Sequence, residues 1–307
     1  MTLPCLPDRS LPNFTGSRIA VVLGTRPELV KLAPLIHELG PAARLVHTGQ
    51  HWDEAMSGRF LRELDLPGPE LLSGVGGRPR AGQIAASLEQ LDAAFTAERP
   101  GAVVVQGDTN AALAVVDHIA DLLCATTEEN AANLRTEALT ERAIALTGNT
   151  VVEVVHRQLP DAGARAALLT RYGLRVDDYV LATVHRPENT DTAEALGAVL
   201  GELDALAAAG TAVLFPIHPR TRAAVERHGL QPLLARLTVT EPVGYGDFLG
   251  LARHAALLVS DSGGVQEECT VLGRPLLVVR PPPGSPGSPW QWPNRDGRLS
   301  DAFRRRS

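Results

Sequence analysis

The residues best suited to chemistry in this chain lie in the run SDSGGVQEE at residues 260–268. An apolar run at 255–259 precedes it and predicts a buried strand, and residues 265–272 predict a helix. A strand, a turn of small residues and a helix start bind anions well, because the first helical N–H groups lack partners and the helix dipole is positive there. Gly263 and Gly264 carry no Cβ, so a phosphate can approach their backbone.

Carboxylates follow this turn closely. Glu267 or Glu268, near the start of the predicted helix, could accept hydrogen bonds from the sugar hydroxyls of a nucleotide. The plainer interpretation of the same run is a helix cap, with Asp261 or Ser262 as the N-cap residue. The run alone favours neither interpretation over the other.

Other ionisable side chains follow predicted strands elsewhere in the chain. Ligands of open α/β sheets bind at the carboxyl ends of the strands. The residues so placed are Arg26 and Lys31 after 18–24, Asp108 after 102–106, His185 after 179–184 and His218 after 212–217. Each also has a plain interpretation: a solvated helix face for the two cations, an N-cap for the aspartate, and a core or capping role for each histidine.

Strands and helices alternate along the chain, which predicts an α/β fold with parallel sheets and right-handed crossovers. The predicted strands cover residues 18–24, 44–47, 102–106, 179–184, 212–217, 237–242, 255–259 and 275–280. The predicted helices cover residues 26–39, 53–64, 81–96, 128–137, 151–157, 162–172, 192–209, 248–253 and 265–272. The helix at 81–96 is amphipathic, with a predicted buried face formed by Ile84, Leu88, Leu91 and Phe95.

These elements predict two Rossmann-like domains that face a cleft, at residues 18–149 and 150–280. Residues 1–17 predict a loose leader, and the Pro-rich residues 281–307 predict a disordered tail. The first domain is short of a strand. Residues 112–125 have room for one short strand, at 122–125, where the alternating pattern requires two.

Composition limits the function classes. The 307 residues are 44% hydrophobic and carry a net charge of −6, which disfavours a nucleic-acid partner. No signal peptide or membrane-spanning run is found, so we expect a cytoplasmic protein without a membrane partner. Cys5, Cys124 and Cys269 form neither a metal pair nor a disulfide framework, and the last two are predicted to be core thiols.

Several motifs occur together and in order. They are GTRPELVKLAPLI, TGQH, QGDTN, GNTVV, TVHRPEN, PIHPRT and SDSGGVQEE. Over residues 18–280 the chain resembles the non-hydrolysing UDP-N-acetylglucosamine 2-epimerases. The resemblance implies a glycosyltransferase-B type fold, a UDP-sugar substrate, a homodimer, a place in polysaccharide biosynthesis, and no redox cofactor or metal. The implied reaction interconverts UDP-N-acetylglucosamine and UDP-N-acetylmannosamine by eliminating and re-adding UDP.

The resemblance also implies roles for individual residues. It implies catalytic roles for Asp108 and His185. The residues implied to bind the substrate are Ser262, Gly263 and Gly264 at the diphosphate, Glu268 at the ribose, and Arg26, Lys31 and His218.

One departure from the family lies inside the first domain. The family has a strand-end segment similar to HVEAGLR, then a PEE-N-R motif, between its QGDT helix and the segment matching DHIADLL at 117–123. Here residues 114–115 run almost directly into 116–118, so both glutamates of that segment are absent. We therefore expect an epimerase with impaired activity.

Three alternatives remain open at this stage. A catalytically dead UDP-sugar-binding protein keeps the turn at 260–268 but not the carboxylates. A glycosyltransferase of the same fold is disfavoured by the GTRPE and VHRPEN motifs, and would consume UDP-sugar only with an acceptor present. Finally, loss of a central strand costs several kcal/mol against a stability of about 5–15 kcal/mol, which is enough to prevent folding.

Two further departures concern the tail and the sugar. Where the family continues into a TERPE-like loop and a closing helix, this chain has PPPGSPG, as a shifted reading frame would produce. Absence of a TERPE-like reading in every frame of the locus would remove that hypothesis. After TGQH the chain has Trp52 and Asp53, similar to a subgroup that includes epimerases of diacetamido-uronic acid sugars.

Overall fold

A computed structural model of the chain describes residues 17–49, 58–106, 120–136 and 143–279. The leader at 1–17, apart from its last residue, and the tail at 281–307 lie outside the described residues. So does Asp108. The chain divides into two compact units between Val154 and Val155, a few residues beyond the predicted boundary at 149.

The first unit contains two separate parallel sheets. Its four-stranded sheet has the order β3-β2-β1-β4, and its two-stranded sheet pairs β5 with β6. The strands are β1 (Ile19–Leu23), β2 (Ala43–His47), β3 (Glu70–Leu71), β4 (Ala102–Val105), β5 (Leu122–Ala125) and β6 (Ala143–Leu146). The two-residue β3 was not predicted from the sequence.

The helices of the first unit follow the predicted pattern. They are α1 (Arg26–Leu39), α2 (Arg59–Glu63), α3 (Arg80–Ala97) and α4 (Glu128–Thr136). Leu29, Leu32, Ala33 and Ile36 of α1 are buried, as their spacing predicts. The predicted buried face of α3 is only half right: Leu91 and Phe95 pack against the core around Val46, whereas Ile84 and Leu88 are exposed.

The break between the two sheets lies where the sequence predicts a missing strand. Among the described residues, β4 pairs only with β1, and β5 pairs only with β6. Val103 and Val105 on β4 are 48% and 42% exposed, an unusual state for β-branched residues in a parallel sheet. The predicted core position of Cys124 is also wrong, because it lies on the exposed face of β5.

The second unit contains one parallel sheet with the order β11-β10-β7-β8-β9. Its strands are β7 (Tyr179–Thr183), β8 (Ala212–Pro216), β9 (Thr238–Thr240), β10 (Leu257–Ser260) and β11 (Leu276–Val278). Every residue of β10 is buried, as are all residues of β7 except Thr183. These strands therefore have the continuous apolar sequences typical of a sheet covered on both faces.

The helices of the second unit complete that cover. They begin with α5 (Val151–Gln158), which straddles the boundary, and continue with α6 (Ala162–Arg171), α7 (Pro187–Thr190), α8 (Ala193–Ala208), α9 (Pro219–His228), α10 (Tyr245–Ala252) and α11 (Gly263–Leu272). The predicted stripe of α8 is fully buried: Leu196, Val199, Leu200, Leu203 and Leu206. The short α7 and the helix α9 were not predicted, since each begins at a proline inside a motif interpreted as a polar strand end.

The helices were also compared with the length of a membrane span. No helix in the described part of the chain is long and apolar enough to cross a bilayer.

Candidate functional site

Three neighbouring strands of the second unit deliver polar side chains to the same edge of the sheet. Because β7 lies between β8 and β10, the carboxyl ends of all three are adjacent. His185 follows β7, His218 follows β8, and Asp261 follows β10. The structure therefore brings together two histidines that the sequence singled out and an aspartate that it treated only as a candidate cap.

Asp261 accepts several hydrogen bonds from the turn after β7. Its side chain has no solvent exposure. Oδ2 accepts hydrogen bonds from the backbone N–H groups of His185 and Arg186, at 2.9 and 2.8 Å, and from Nδ2 of Asn189 at 2.8 Å. Oδ1 lies 3.2 Å from Nδ1 of His185. The carboxylate thus holds the turn after β7 as well as the imidazole.

These contacts decide the charge of Asp261. Burial acts to raise the pKa of its carboxyl, but the hydrogen bond and charge of His185 and the donors from Arg186 and Asn189 outweigh it. The net result is a pKa below the usual value for an aspartate. Asp261 is therefore an ionised acceptor at neutral pH.

Asn189 fixes Asp261 from the other side. Its amide nitrogen donates to Asp261 and also to the backbone oxygen of Val279 at 3.0 Å, which settles the orientation of the amide. Asn189 is buried, and its Oδ1 has no partner among the described residues. The amide of Asn189 therefore links Asp261 to the residue that follows β11.

The two histidine rings are neighbours. The ring centroids of His185 and His218 are 5.3 Å apart. Nδ1 of His218 accepts the backbone N–H of Arg220 at 3.2 Å, so this side chain caps α9. The hydroxyl of Thr221 donates to the backbone oxygen of Val184, which ties the start of α9 to the end of β7. These bonds keep the two rings side by side.

The start of α11 lies where the sequence predicts an anion site. Ser262 occupies the N-cap position, as one of the two predicted alternatives, but its side chain makes no capping hydrogen bond. Asp261 is not the N-cap residue, and its carboxylate binds the turn after β7 instead. Among the described residues, and apart from the backbone of α11 itself, a Cβ at Gly264 would come within 4 Å only of Oγ of Ser262, at 3.9 Å. Glu268 lies further along the same helix and is buried.

The corresponding turn in the first unit is held by a carboxylate. Oε2 of Glu28 accepts the backbone N–H groups of Gly24 and Thr25, at 2.6 and 3.0 Å. Glu28 of α1 therefore fixes the turn between β1 and α1. Lys31 is half-buried on α1, and its backbone oxygen accepts the hydroxyl of Thr150 at 2.7 Å. Arg26 is the first residue of α1.

The sequence analysis missed the part played by Asp261 and Asn189. Asn189 lies in the motif VHRPEN, and Asp261 in SDSGG, so the motifs contain both residues. The two residues are 72 positions apart in the chain. They come into contact because β7 pairs with β10 in the folded sheet. The position of Asn189 just after a Pro-Glu helix start is the only local signal.

Fold and site together define a class of protein. Two α/β units with parallel sheets, and an open helix N-terminus beside paired histidines at the strand ends, are typical of enzymes and binding proteins for phosphorylated nucleotides or sugars.

Comparison with known proteins gives the family. The family described as UDP-N-acetylglucosamine 2-epimerase matches residues 38–116 and 114–282. A Methanocaldococcus jannaschii protein named UDP-N-acetylglucosamine 2-epimerase is 33% identical, with 86% of this chain and 83% of that protein aligned. A Pseudomonas aeruginosa protein named UDP-2,3-diacetamido-2,3-dideoxy-D-glucuronate 2-epimerase is 28% identical over 86% of this chain and 83% of its own.

A solved structure agrees with these matches. The M. jannaschii UDP-GlcNAc 2-epimerase in complex with UDP-GlcNAc and UDP has a TM-score of 0.74 and 33% identity, over 85% of this chain and 83% of that one. This chain therefore belongs to the UDP-N-acetylglucosamine 2-epimerase family. The two-domain α/β architecture predicted from the sequence is that of the family.

The matches also locate the missing segment. The two matched parts of the family meet at residues 114–116, where the sequence analysis places the gap. The alignment with the M. jannaschii protein is 305 positions long, but it covers 86% of this 307-residue chain, which is about 264 residues. About 40 positions of the alignment therefore have no residue in this chain. The break between β4 and β5 has the same place in the chain.

Proposed function

We propose that this protein binds a UDP-sugar in its second unit and acts as a UDP-N-acetylglucosamine 2-epimerase with impaired proton transfer. The observation that carries the proposal is the Asp261–His185 pair beside the uncapped start of α11. An ionised carboxylate positions an imidazole there, next to N–H groups that suit a diphosphate. The solved M. jannaschii relative, which holds UDP-GlcNAc and UDP, supports this ligand class.

The proposed reaction proceeds in two stages. The proton on carbon 2 of the sugar moves to a base, and the electron pair of that C–H bond forms a double bond to carbon 1 as the bond to UDP breaks. Carbon 2 then gains a proton on its opposite face, and the UDP oxygen re-forms the bond to carbon 1. Departure of UDP places charge on the phosphate, which helix N–H groups and cations stabilise.

Residues of the second unit supply the proposed nucleotide site. Ser262, Gly263 and Gly264 present the N–H groups of α11 to the diphosphate, and Glu268 accepts hydrogen bonds from the ribose hydroxyls. His218 contacts the ligand. His185 transfers a proton or stabilises the departing UDP, since its Nδ1 side is already held by Asp261.

Residues of the first unit have proposed roles that rest on the family resemblance. Arg26 and Lys31 contact the substrate, and Asp108 is a catalytic carboxylate. Arg26 and Lys31 both belong to α1, and the nearby Glu28 closes the turn before that helix.

The missing segment reduces the proposed activity. About 40 positions in the alignment with the M. jannaschii relative have no residue here, and the two matched parts of the family meet near residue 114. By the family resemblance, the absent positions include the segment similar to HVEAGLR with its glutamates. General acid–base groups typically contribute 10²- to 10⁴-fold to a rate. A catalytically dead UDP-sugar-binding protein is the second candidate function, and the break between β4 and β5 is the observation that favours it.

A proton NMR time course with UDP-N-acetylglucosamine in heavy water tests the proposal. Appearance of the manno epimer carrying deuterium at carbon 2 is the expected result, at a rate about 10²- to 10⁴-fold below that of an intact relative assayed alongside. Absence of exchange from folded protein that binds UDP establishes the binding-protein function instead. Absence of UDP binding contradicts both.

The family resemblance further leads us to propose a homodimer in the cytoplasm. Sedimentation equilibrium of the purified chain tests the dimer, and a monomer at all concentrations contradicts it. Fractionation of the source cells tests the location.

A further inference from the structure

The Nδ1 atoms of the two neighbouring histidines have opposite partners. Nδ1 of His185 faces a buried carboxylate, whereas Nδ1 of His218 faces a backbone N–H group. The ring centroids are only 5.3 Å apart. Of these two neighbouring imidazoles, one therefore has a hydrogen-bond acceptor at Nδ1 and the other has a donor. A neutral imidazole carries its proton on one nitrogen, and the hydrogen bond at the other nitrogen decides which.

The partner of His185 requires a donor. Oδ1 of Asp261 lies 3.2 Å from Nδ1, and the pKa of this buried carboxyl is below its usual value, so Asp261 is an acceptor. Nδ1 of His185 must therefore carry a proton. In the neutral ring the lone pair is then on Nε2.

The partner of His218 requires an acceptor. The backbone N–H of Arg220 can only donate, and it reaches Nδ1 of His218 at 3.2 Å as the cap of α9. Nδ1 must therefore carry the lone pair, and the proton of the neutral ring lies on Nε2. The side chain of Arg220 also binds Thr190 and Asp191, at 3.2 and 3.0 Å, which fixes the start of this helix against α7.

We propose that the fold holds His185 and His218 in opposite tautomers, and that Asp261 is the positioning residue for His185. Resting on the proposed function, this gives the UDP-sugar site one imidazole that accepts at Nε2 and a neighbouring one that donates from Nε2. His185 then has the form needed to take a proton, and His218 the form needed to donate a hydrogen bond to a phosphate or sugar oxygen. The two histidines are therefore not interchangeable.

The arrangement of donors on Asp261 makes the proposal testable with one isosteric change. Oδ2 accepts from the N–H groups of His185 and Arg186 and from Asn189, at 2.8–2.9 Å. Oδ1 faces Nδ1 of His185 and accepts a longer bond, of 3.2 Å, from the same His185 N–H group. In Asp261→Asn the amide oxygen must stay where those donors converge, so the NH₂ group takes the position of Oδ1. That group can only donate, and Nδ1 of His185 must then become an acceptor.

The experiment is a long-range ¹H–¹⁵N correlation spectrum of protein labelled with ¹⁵N-histidine. His185→Gln and His218→Gln variants assign the two rings among the nine histidines by loss of their signals. We expect the wild-type His185 to be protonated at Nδ1 and His218 at Nε2. In Asp261→Asn we expect His185 to switch to Nε2 protonation while His218 is unchanged.

The matched control is Asp204→Asn, which removes a carboxylate of the same unit that accepts from Arg236 at 2.8 Å. It should leave both tautomers unchanged. A wild-type His185 protonated at Nε2, or a pair of like tautomers, overturns the proposal even if Asp261→Asn does not fold. An unchanged His185 in folded Asp261→Asn also overturns it. Calorimetric UDP binding on the same samples reports separately on the proposed function.

Discussion

Replacing Gly264 with alanine should separate the stability of α11 from its use as an anion site. Gly264 is the second residue of the helix and has no φ in the left-handed region, so alanine fits its backbone. Among the described residues, and apart from the backbone of α11 itself, the new Cβ would meet only Oγ of Ser262, at an ordinary van der Waals distance of 3.9 Å. The described part of the protein therefore has room for alanine at this position.

The two expected effects have opposite signs. Alanine is favoured over glycine in a helix by about 0.5–1 kcal/mol, so the free energy of unfolding should rise by up to that amount. A diphosphate, however, must approach the backbone where the Cβ now projects. Losing one charge-assisted hydrogen bond costs about 1.5–3 kcal/mol, which corresponds to an affinity for UDP about 10- to 150-fold weaker.

Urea denaturation measures the first effect, and titration calorimetry with UDP measures the second. Gly201→Ala is the matched control, because Gly201 lies inside α8 and a Cβ added there would meet no atom within 4 Å. It should gain similar stability without any change in affinity. An affinity for UDP in Gly264→Ala within twofold of the wild type would refute the assignment of α11 as the diphosphate site.

Three further outcomes follow from other parts of the structure. The low pKa of Asp261 adds to the free energy of unfolding above the unfolded-state pKa of about 3.9, and this contribution is lost as the pH falls through the folded-state pKa. In urea unfolding at pH 7 the wild type should therefore have a higher free energy of unfolding than Asp261→Asn, and the difference should shrink at acidic pH. Parallel curves of the free energy of unfolding against pH would contradict this. Leu200→Ala should lower the free energy of unfolding by about 2–5 kcal/mol, because the side chain is fully buried in the second unit; a loss below about 1 kcal/mol in urea would count against that packing. Val103→Lys should reduce light scattering on heating and change stability by less than about 0.5 kcal/mol, since it puts a charge on an exposed edge strand; undiminished scattering would mean that another surface drives association.

Local patterns predicted most of the elements because they depend on local chemistry. The apolar run before residue 260 has the length and bounds of a buried strand, and the stripe of α8 has the period of a helix packed on one side. The two helices that were not predicted also have a physical explanation. Both α7 and α9 begin at a proline inside a polar motif, and proline is compatible with a first helical turn as well as with a strand end.

The spacing of the apolar runs in the first unit leaves room for one short strand, at residues 122–125. The structure has β5 at those residues. What the pattern could not predict is the consequence for burial. Ile84, Leu88 and Cys124 have the sequence environment of core residues, but exposure depends on which elements cover them.

The sequence by itself determined the family, most of the strands and helices, and the place of the small-residue turn before α11, because each motif or apolar pattern consists of residues close together in the chain. Tertiary structure alone decided that Asp261 turns away from its own helix to hold His185. That choice depends on β7 pairing with β10, which brings together donors 72 to 76 positions distant. Hydrogen bonds between distant residues need the folded sheet, so no local pattern contains them.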